Sequence, residues 1–478
     1  MRLLATIMSL LSQVFVFVIP SIMMLIQSIL YFKSLKPTPP RTNTSTNLDK
    51  RPLVSVLVVF KNEPTELIER FITGISKIKW PRESLEIIMV SDDPPHIASK
   101  IKNIVLLRGR ELGLNVRFFS RIKPTGGKAG ALNYGLKHCG GKYVLTMDID
   151  SVIDANFIEE AVKVLESKPN VAAVVGRWAA LNRDSRIAEG IAHAMEFIID
   201  STFKAWHRLG IPVYTLGTGT LYRRKVLEEV NGWSEDMLMD DLEIGARIIN
   251  AGYHVDYIDN VKVYVEVPPT LRAYRIQQYK WSYGAMELLR KRTKHILTSP
   301  IPYHGRFLLL FYPLQYLPLI TTLVGIPILG ILSLLLKTDI LCEQIILACI
   351  WVIALIVNGI AFNHCLKVRG ISGYKSLVLS GRNTGLLISQ TPYILISSLK
   401  GLLGLSIKRK VTPKGEHAKK IREGTVPLEI IVLIVMLILA VLVMLKGILY
   451  TSLFIFVYAL SYLYALYRWH NEILQRYH

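Results

Sequence analysis

Apolar positions along the chain fall into two regimes. Between residues 51 and 300 the apolar stretches are short and separated by amphipathic ones, whereas on either side they run long and unbroken. Leu53-Val-Ser-Val-Leu-Val-Val-Phe60 is a β-branched run without polar alternation, as expected of a strand covered on both faces. Helical spacing follows over 65–78, then a strand over 85–90 that ends in Ser91-Asp92-Asp93-Pro94-Pro95. A helix near 98–109, a strand over 115–119, the turn Thr125-Gly-Gly-Lys-Ala-Gly130, a helix through Lys137 and a strand over 143–147 complete the series. Strands alternating with helices, each strand ending in polar residues, predict an open, doubly wound α/β sheet of Rossmann-like, mostly parallel type. Ligands of such a sheet sit beyond the carboxyl ends of its strands.

The long apolar runs lie at 3–32, 307–336, 345–362, 385–399, 430–445 and 448–467. Most reach the about 20 helical residues that a bilayer core requires. The predicted organisation is an N-terminal membrane anchor over 1–34, a linker over 35–50, a soluble domain over 51–300 and an all-α membrane bundle over 301–478. The first run is expected to be a retained anchor, because it exceeds a secretory h-region, lacks a small-residue cleavage pattern and runs into Lys33 and Lys36. Further basic clusters stand at Lys367, Arg369, Lys375 and Arg382, and again at Lys408, Arg409, Lys410, Lys414, Lys419, Lys420 and Arg422. The positive-inside rule then puts the soluble domain in the cytoplasm, with the N-terminus outside the cell membrane and the C-terminus cytoplasmic. Both flanks of 385–404 are basic and the segment holds Pro392 and Lys400, so it is expected to lie in the interface or re-enter.

Composition supports this division. Of 478 residues 51% are hydrophobic, too many for a wholly soluble chain, and the net charge of +21 gathers in the membrane flanks. Anionic lipid and an anionic substrate account for that charge without nucleic acid. Cys139, Cys342, Cys349 and Cys365 have no ligand spacing, which excludes a disulfide framework or a zinc site.

Three groups of residues carry candidate chemistry. Asp148 and Asp150 stand one residue apart where a buried strand ends. Such a pair repels itself and calls for a hard cation, Mg²⁺ or Mn²⁺, although a solvated strand end leading to a cap at Asp154 accommodates the same residues. Lys128 opens a helix from a glycine turn, where a mobile charge beside free amides suits a phosphate; a tight connection is the plainer reading. Asp240 and Asp241 begin a helix whose buried face is Leu242, Ile244, Ile248 and Ile249 and which Gly252 ends, a position that an ordinary N-cap also explains.

Four motifs resolve these alternatives. Val54-Ser-Val with Asn62-Glu63, Ile87-Ile-Met-Val-Ser-Asp92-Asp93, Gly127-Lys128-Ala-Gly130-Ala-Leu-Asn133 and Met147-Asp148-Ile-Asp150 resemble, in order and spacing over 52–285, the motifs of family 2 nucleotide-sugar glycosyltransferases. That resemblance implies a GT-A fold. It gives Asn62, Glu63 and Asp92, with Asp93 sharing the task, to the base and ribose, and Lys128 to the diphosphate. Asp148 and Asp150 become the metal pair, with Asp148 also nucleotide-binding. Asp241 becomes the catalytic base, preceded by Asp240 where relatives carry Glu. Gly217, Thr218 and Gly219 resemble the acceptor-side segment.

Gln277, Lys280 and Trp281 resemble the Gln-x-x-Arg-Trp signature of processive cellulose, chitin and hyaluronan synthases, with Lys280 in place of Arg and Arg275 placed to compensate. Physically, Trp offers a flat face to a pyranose, Gln a hydrogen-bond pair and the cation a partner for the diphosphate. In the basic loop over 405–426, Val411-Thr412-Pro413-Lys414 resembles the gating loop of those enzymes, which brings Thr412 and Lys414 to the nucleotide sugar. The activity implied is metal-dependent, inverting hexosyl transfer from a UDP-sugar to a glycan acceptor, with polysaccharide synthesis coupled to export. Transfer of one sugar to a lipid or lipid-linked acceptor is the alternative. A non-catalytic transporter or scaffold with a vestigial nucleotide fold is a third.

Overall fold

The structure, a computed structural model, describes residues 2–37, 51–407 and 427–474. Its centre is an eight-stranded sheet: β1 (Val54–Phe60), β2 (Leu85–Ser91), β3 (Asn115–Ser120), β4 (Tyr143–Met147), β5 (Val152–Ile153), β6 (Val171–Ala180), β7 (Thr220–Arg223) and β8 (His254–Val265). The strand order is β3-β2-β1-β4-β7-β6-β8-β5. Every residue of β1 and β4 is buried, as continuous apolar strands between two helical layers must be. Alternate side chains of β1 serve different cores: Leu57 and Val59 face a cluster with Leu132, Trp206 and Ile244, while Val54, Val56 and Val58 face Phe71, Leu145 and Phe157.

Parallel pairing of β1 with β2 and β4, and of β2 with β3, brings the ends of these strands to one edge. The chain steps outward from β1 to β3 and then returns to place β4 on the other side of β1. This reversal opens a crevice between Phe60 and Met147, the usual ligand position of a wound sheet. Beyond β4 the sheet is mixed rather than parallel. β7 runs antiparallel to both β4 and β6, and β5 antiparallel to β8, while β6 and β8 pair in parallel. Strand β7 has only four residues, Thr-Leu-Tyr-Arg, too short for an apolar run to mark it.

Among the described residues six helices are long and apolar enough to cross a membrane: Ile7–Ser34, Pro313–Leu336, Ile345–Lys367, Tyr374–Leu403, Leu428–Leu445 and Leu449–His470. The fourth contains the whole of 385–399 and passes through Pro392 without a break. It is the least apolar of the six and half of it is buried, much of it along the 28-residue helix Leu271–Thr298. Membrane and soluble parts share packing. Leu30 of the first helix, and Leu309 and Phe311 of the helix Tyr303–Phe311, join the same core as Leu57 and Trp206.

Candidate active site

One cavity of about 2320 Å³ opens at the carboxyl edge of β1, β2 and β4 and is lined by Asn62, Glu63, Asp92, Lys128, Asp148, Asp150, Gly217, Thr218, Asp240, Asp241, Gln277, Lys280 and Trp281. Residues scattered over 220 positions of sequence thus meet in one space. Asp93 and Gly219 do not line it. Asp93 is buried, and its carboxylate accepts from the Asn62 backbone N–H at 2.6 Å and the Ser91 hydroxyl at 2.7 Å, which holds Asn62 at its positive φ of 56°. Gly219, at φ 72°, packs where a Cβ would stand 2.3 Å from Val263. Thr412 and Lys414 lie outside the described residues.

Asp92 is reached but already committed. Arg121 grips it bidentately, Nε at 2.6 Å and Nη2 at 2.5 Å, and the same guanidinium donates to the carbonyls of Thr125 and Gly127 at 2.9 and 3.2 Å. One side chain therefore ties the end of β2 to the glycine turn. Gly126, in the left-handed region at φ 70°, lets that turn open the helix Gly127–Leu136 and point Lys128 into the cavity. Sequence reasoning missed Arg121, although a lone cation just after β3 and opposite an acid at the end of β2 was a usable signal.

The Lys128 ammonium lies 2.6 Å from Asp148 Oδ1 and 3.5 Å from the Gly217 carbonyl. Across Gly217 stands Asp241: a Cβ at Gly217 would sit 3.1 Å from Asp241 Oδ2 and 3.2 Å from Lys128 Nζ. The helix Asp240–Asn250 places Asp241 in its first turn. There Oδ1 accepts from the Leu242 N–H at 2.9 Å, and the Asp241 carbonyl accepts from Thr215 Oγ1 at 2.5 Å. Thr218 acts as a strut, its hydroxyl accepting from the Asp148 N–H at 3.1 Å and sharing a hydrogen bond of 2.6 Å with Ser151. The indole N–H of Trp178, a second lining residue that no motif marked, donates to the Thr218 carbonyl at 3.0 Å.

Burial and mutual repulsion set the charges. Burial raises the Asp240 carboxyl to about 6 against the opposing pull of Lys128, with Asp241 and Asp148 raising it further. Asp241 is raised for the same first reason, Lys128 opposing and Asp148 adding to it. Burial alone would lower the Lys128 ammonium, but Asp148 and Asp240 together hold it above its ordinary value. Lys280 goes the other way, lowered by burial and then by Lys128. Along the whole cavity wall acids outnumber the cations Lys61, Arg70, Lys128 and Lys280, and Asp148, Asp150, Asp240 and Asp241 are among them.

Among the described residues no three His, Cys, Asp or Glu side chains converge as a complete metal site. An excess of oxygen donors in which two carboxylates line one cavity nevertheless fits Mg²⁺ or Mn²⁺, since such ions take one or two carboxylates and complete their shell with phosphates and water. Asp148 and Asp150 would hold the ion.

Gln277, Lys280 and Trp281 line the cavity from the helix Leu271–Thr298. Arg275 does not replace the missing arginine of the motif. Its guanidinium pairs with the fully buried Glu429 and lies 4.1 Å over the Tyr393 ring, while Tyr393 donates to Glu429 at 2.9 Å. The reason is electrostatic: a carboxylate sealed among membrane helices needs a neutralising partner, and Arg275 is it. Trp233 is a buried core aromatic, edge-on to Tyr222 at 5.9 Å.

Two family models match the chain, "Glycosyl transferase family 2" over residues 55–230 and "Glycosyl transferase family group 2" over 143–363. A probable glycosyltransferase of Sulfolobus acidocaldarius is 31% identical over 467 residues, 96% of this chain and 97% of that protein. Glucomannan 4-β-mannosyltransferase 7 of Arabidopsis thaliana is 32% identical over 256 residues, 52% of this chain and 45% of the plant protein. Among solved structures, the mannosyltransferase PcManGT of Pyrobaculum calidifontis, in complex with GDP-Man and Mn²⁺, aligns with TM-score 0.53 at 17% identity over 84% of this chain and all of its own.

Proposed function

The chain belongs to glycosyltransferase family 2, and on that premise we propose that it is a membrane-integrated, inverting transferase that moves a hexose, mannose in first place, from a nucleotide sugar to an acceptor hydroxyl. The carrying observation is the convergence of Lys128, Asp148 and Asp241 about Gly217 in one cavity. The mannosyl assignment draws on the plant mannosyltransferases, which share half of this chain. The catalytic domain faces the cytoplasm, the N-terminus lies outside, and the helix over 385–404 rests at the interface, as the basic flanks require.

In the proposed reaction, Asn62, Glu63 and Asp92 seat the nucleoside, and Lys128 meets the diphosphate. Asp148 and Asp150 would hold a Mg²⁺ or Mn²⁺ ion, which when bound would supply positive charge beside the diphosphate. Asp241 takes the proton from the acceptor hydroxyl as its oxygen attacks the anomeric carbon from the face opposite the leaving group, so a single displacement inverts that centre. Gly217 leaves the space in which donor and acceptor meet. Trp281 and Gln277 hold the acceptor end, and Lys280, whose ammonium is destabilised by burial and by Lys128, gains a partner when the diphosphate arrives. Processive synthesis with export and single transfer to a lipid-linked acceptor both use this chemistry.

The test is nucleotide release by purified protein from a panel of GDP- and UDP-sugars with Mn²⁺ or Mg²⁺. Release from one donor, abolished by chelator and by Asp241→Asn, is expected. Nucleotide binding without release from any donor would leave the non-catalytic reading standing.

A further inference from the structure

The cavity does not end at the nucleotide site. It continues among the membrane helices, where Met23, Ile326, Trp351, Leu355, Ile388 and Phe454 wall it. Its 2320 Å³ is more than twice the about 300–1,000 Å³ of an ordinary small-ligand pocket. No Asp, Glu, Lys, Arg or His from the candidate membrane spans lines it among the described residues. Three of the polar side chains in that part, Asn358, Thr384 and Ser461, spend donors within the protein. The Asn358 amide donates to the Met24 carbonyl and to Gln27 Oε1 at 3.4 Å each, the Thr384 hydroxyl to the Ser380 carbonyl at 3.0 Å, and the Ser461 hydroxyl to the Tyr458 carbonyl at 2.5 Å. A glycan passing this way would leave many hydroxyls without partners, at a cost a hydrocarbon chain does not incur.

We propose that the acceptor is a lipid whose hydrocarbon tail occupies this membrane part of the cavity and whose reacting end is an uncharged hydroxyl, as on a lipid-anchored sugar, placed at Asp241. The inference rests on the transferase reading above. Two features select the head group. A hydroxyl needs a base and Asp241 is one, whereas a phosphate is ionised already. The adjacent carboxylates of Asp240 and Asp241 at the reacting end would also repel an anionic head. In the step, the bond from the anomeric carbon to the donor phosphate oxygen breaks with its electron pair going to the diphosphate. The lipid hydroxyl oxygen forms the new glycosidic bond, and its proton goes to Asp241.

The experiment uses the full chain in lipid nanodiscs, the nucleotide sugar that supports turnover in the panel, and methyl, octyl, decyl and dodecyl glucosides below their micellar concentrations. Expected is a kcat/KM that rises with tail length by up to about fourfold per added methylene, the ratio that about 0.8 kcal/mol per buried CH₂ implies. Leu355→Trp or Ile388→Trp, shown to be folded by a nucleotide-induced thermal shift, should lower the dodecyl-to-octyl ratio at least tenfold. Equal rates for methyl and dodecyl glucosides, or repeated transfer onto a soluble oligosaccharide, would overturn the lipid tail. Turnover on dodecyl phosphate but not on dodecyl glucoside would overturn the hydroxyl head. Loss of nucleotide release with every acceptor, water included, would instead strike the transferase reading underneath.

Discussion

Asp241 shows how one side chain's chemistry follows from its surroundings. It has little solvent, an acid before it at Asp240 and a lysine across Gly217, so its proton affinity is raised but not uncontrolled. Asp241→Asn keeps the shape and removes the base. The expected outcome is a loss of about 10²–10⁴ in kcat with nucleotide affinity held within a few-fold, checked by steady-state rates and calorimetric titration. The pH profile carries a second prediction. A base must be deprotonated to act, so activity falls as pH drops through its pKa. Burial raises the Asp241 carboxyl, so the acidic limb of kcat/KM lies above the about 3.9 of a free aspartate. An acidic limb at or below that of a free aspartate would count against Asp241 as the base. At this scale the sequence named the acids but not their partners. Arg121 on Asp92 and the Glu429 that engages Arg275 lie 29 and 154 positions from the side chains they bind, and no local pattern reports such pairings.

The helix Asp240–Asn250 is the element on which the site's precision depends, and glycines set its distance from its neighbours. A Cβ at Gly245 would stand 2.8 Å from the Thr215 backbone nitrogen, whereas one at Gly284 of the helix Leu271–Thr298 would meet the flexible Met239 side chain at 2.4 Å. Backbone cannot yield as a thioether can. Gly245→Ala is therefore expected to cost about 1–3 kcal/mol and to lower kcat by moving Asp241 off Gly217, while Gly284→Ala costs less and leaves kcat near its parent value; thermal melts and rates on the pair decide it. The parallel strands β1 to β4 and the helices between them were legible because their apolar runs are long and end in polar motifs. The antiparallel β7 and the two-residue β5 were not, since short strands are specified by the edges they pair with.

At the scale of the whole molecule, the soluble domain and the membrane helices are joined by buried charge. Arg177 of β6 and Arg369, just beyond a membrane helix, both bind Asp200, at 2.8 and 2.5 Å, and Arg177 also binds Asp259 at 2.7 Å. Asp200 belongs to a π-helical turn, Asp200–Lys204, packed against the helix Ile19–Ser34. Asp200→Asn removes one counter-charge from each guanidinium, leaving Arg177 with Asp259 and Arg369 with Glu196, and is expected to cost about 1–3 kcal/mol, read as a lower melting temperature in detergent and as loosening of the domain from its helices in hydrogen exchange. The strands and helices as far as β4, the membrane runs, the acids at 148, 150, 240 and 241 and the lysine at 128 were legible in sequence alone, because each is a local pattern of polarity or spacing. Tertiary structure decided which of them meet, that Asp93 and Arg275 turn to other partners, and that the catalytic cleft continues as an apolar space between helices. Those outcomes depend on burial and on contacts between residues distant in sequence, for which a linear pattern carries no distance.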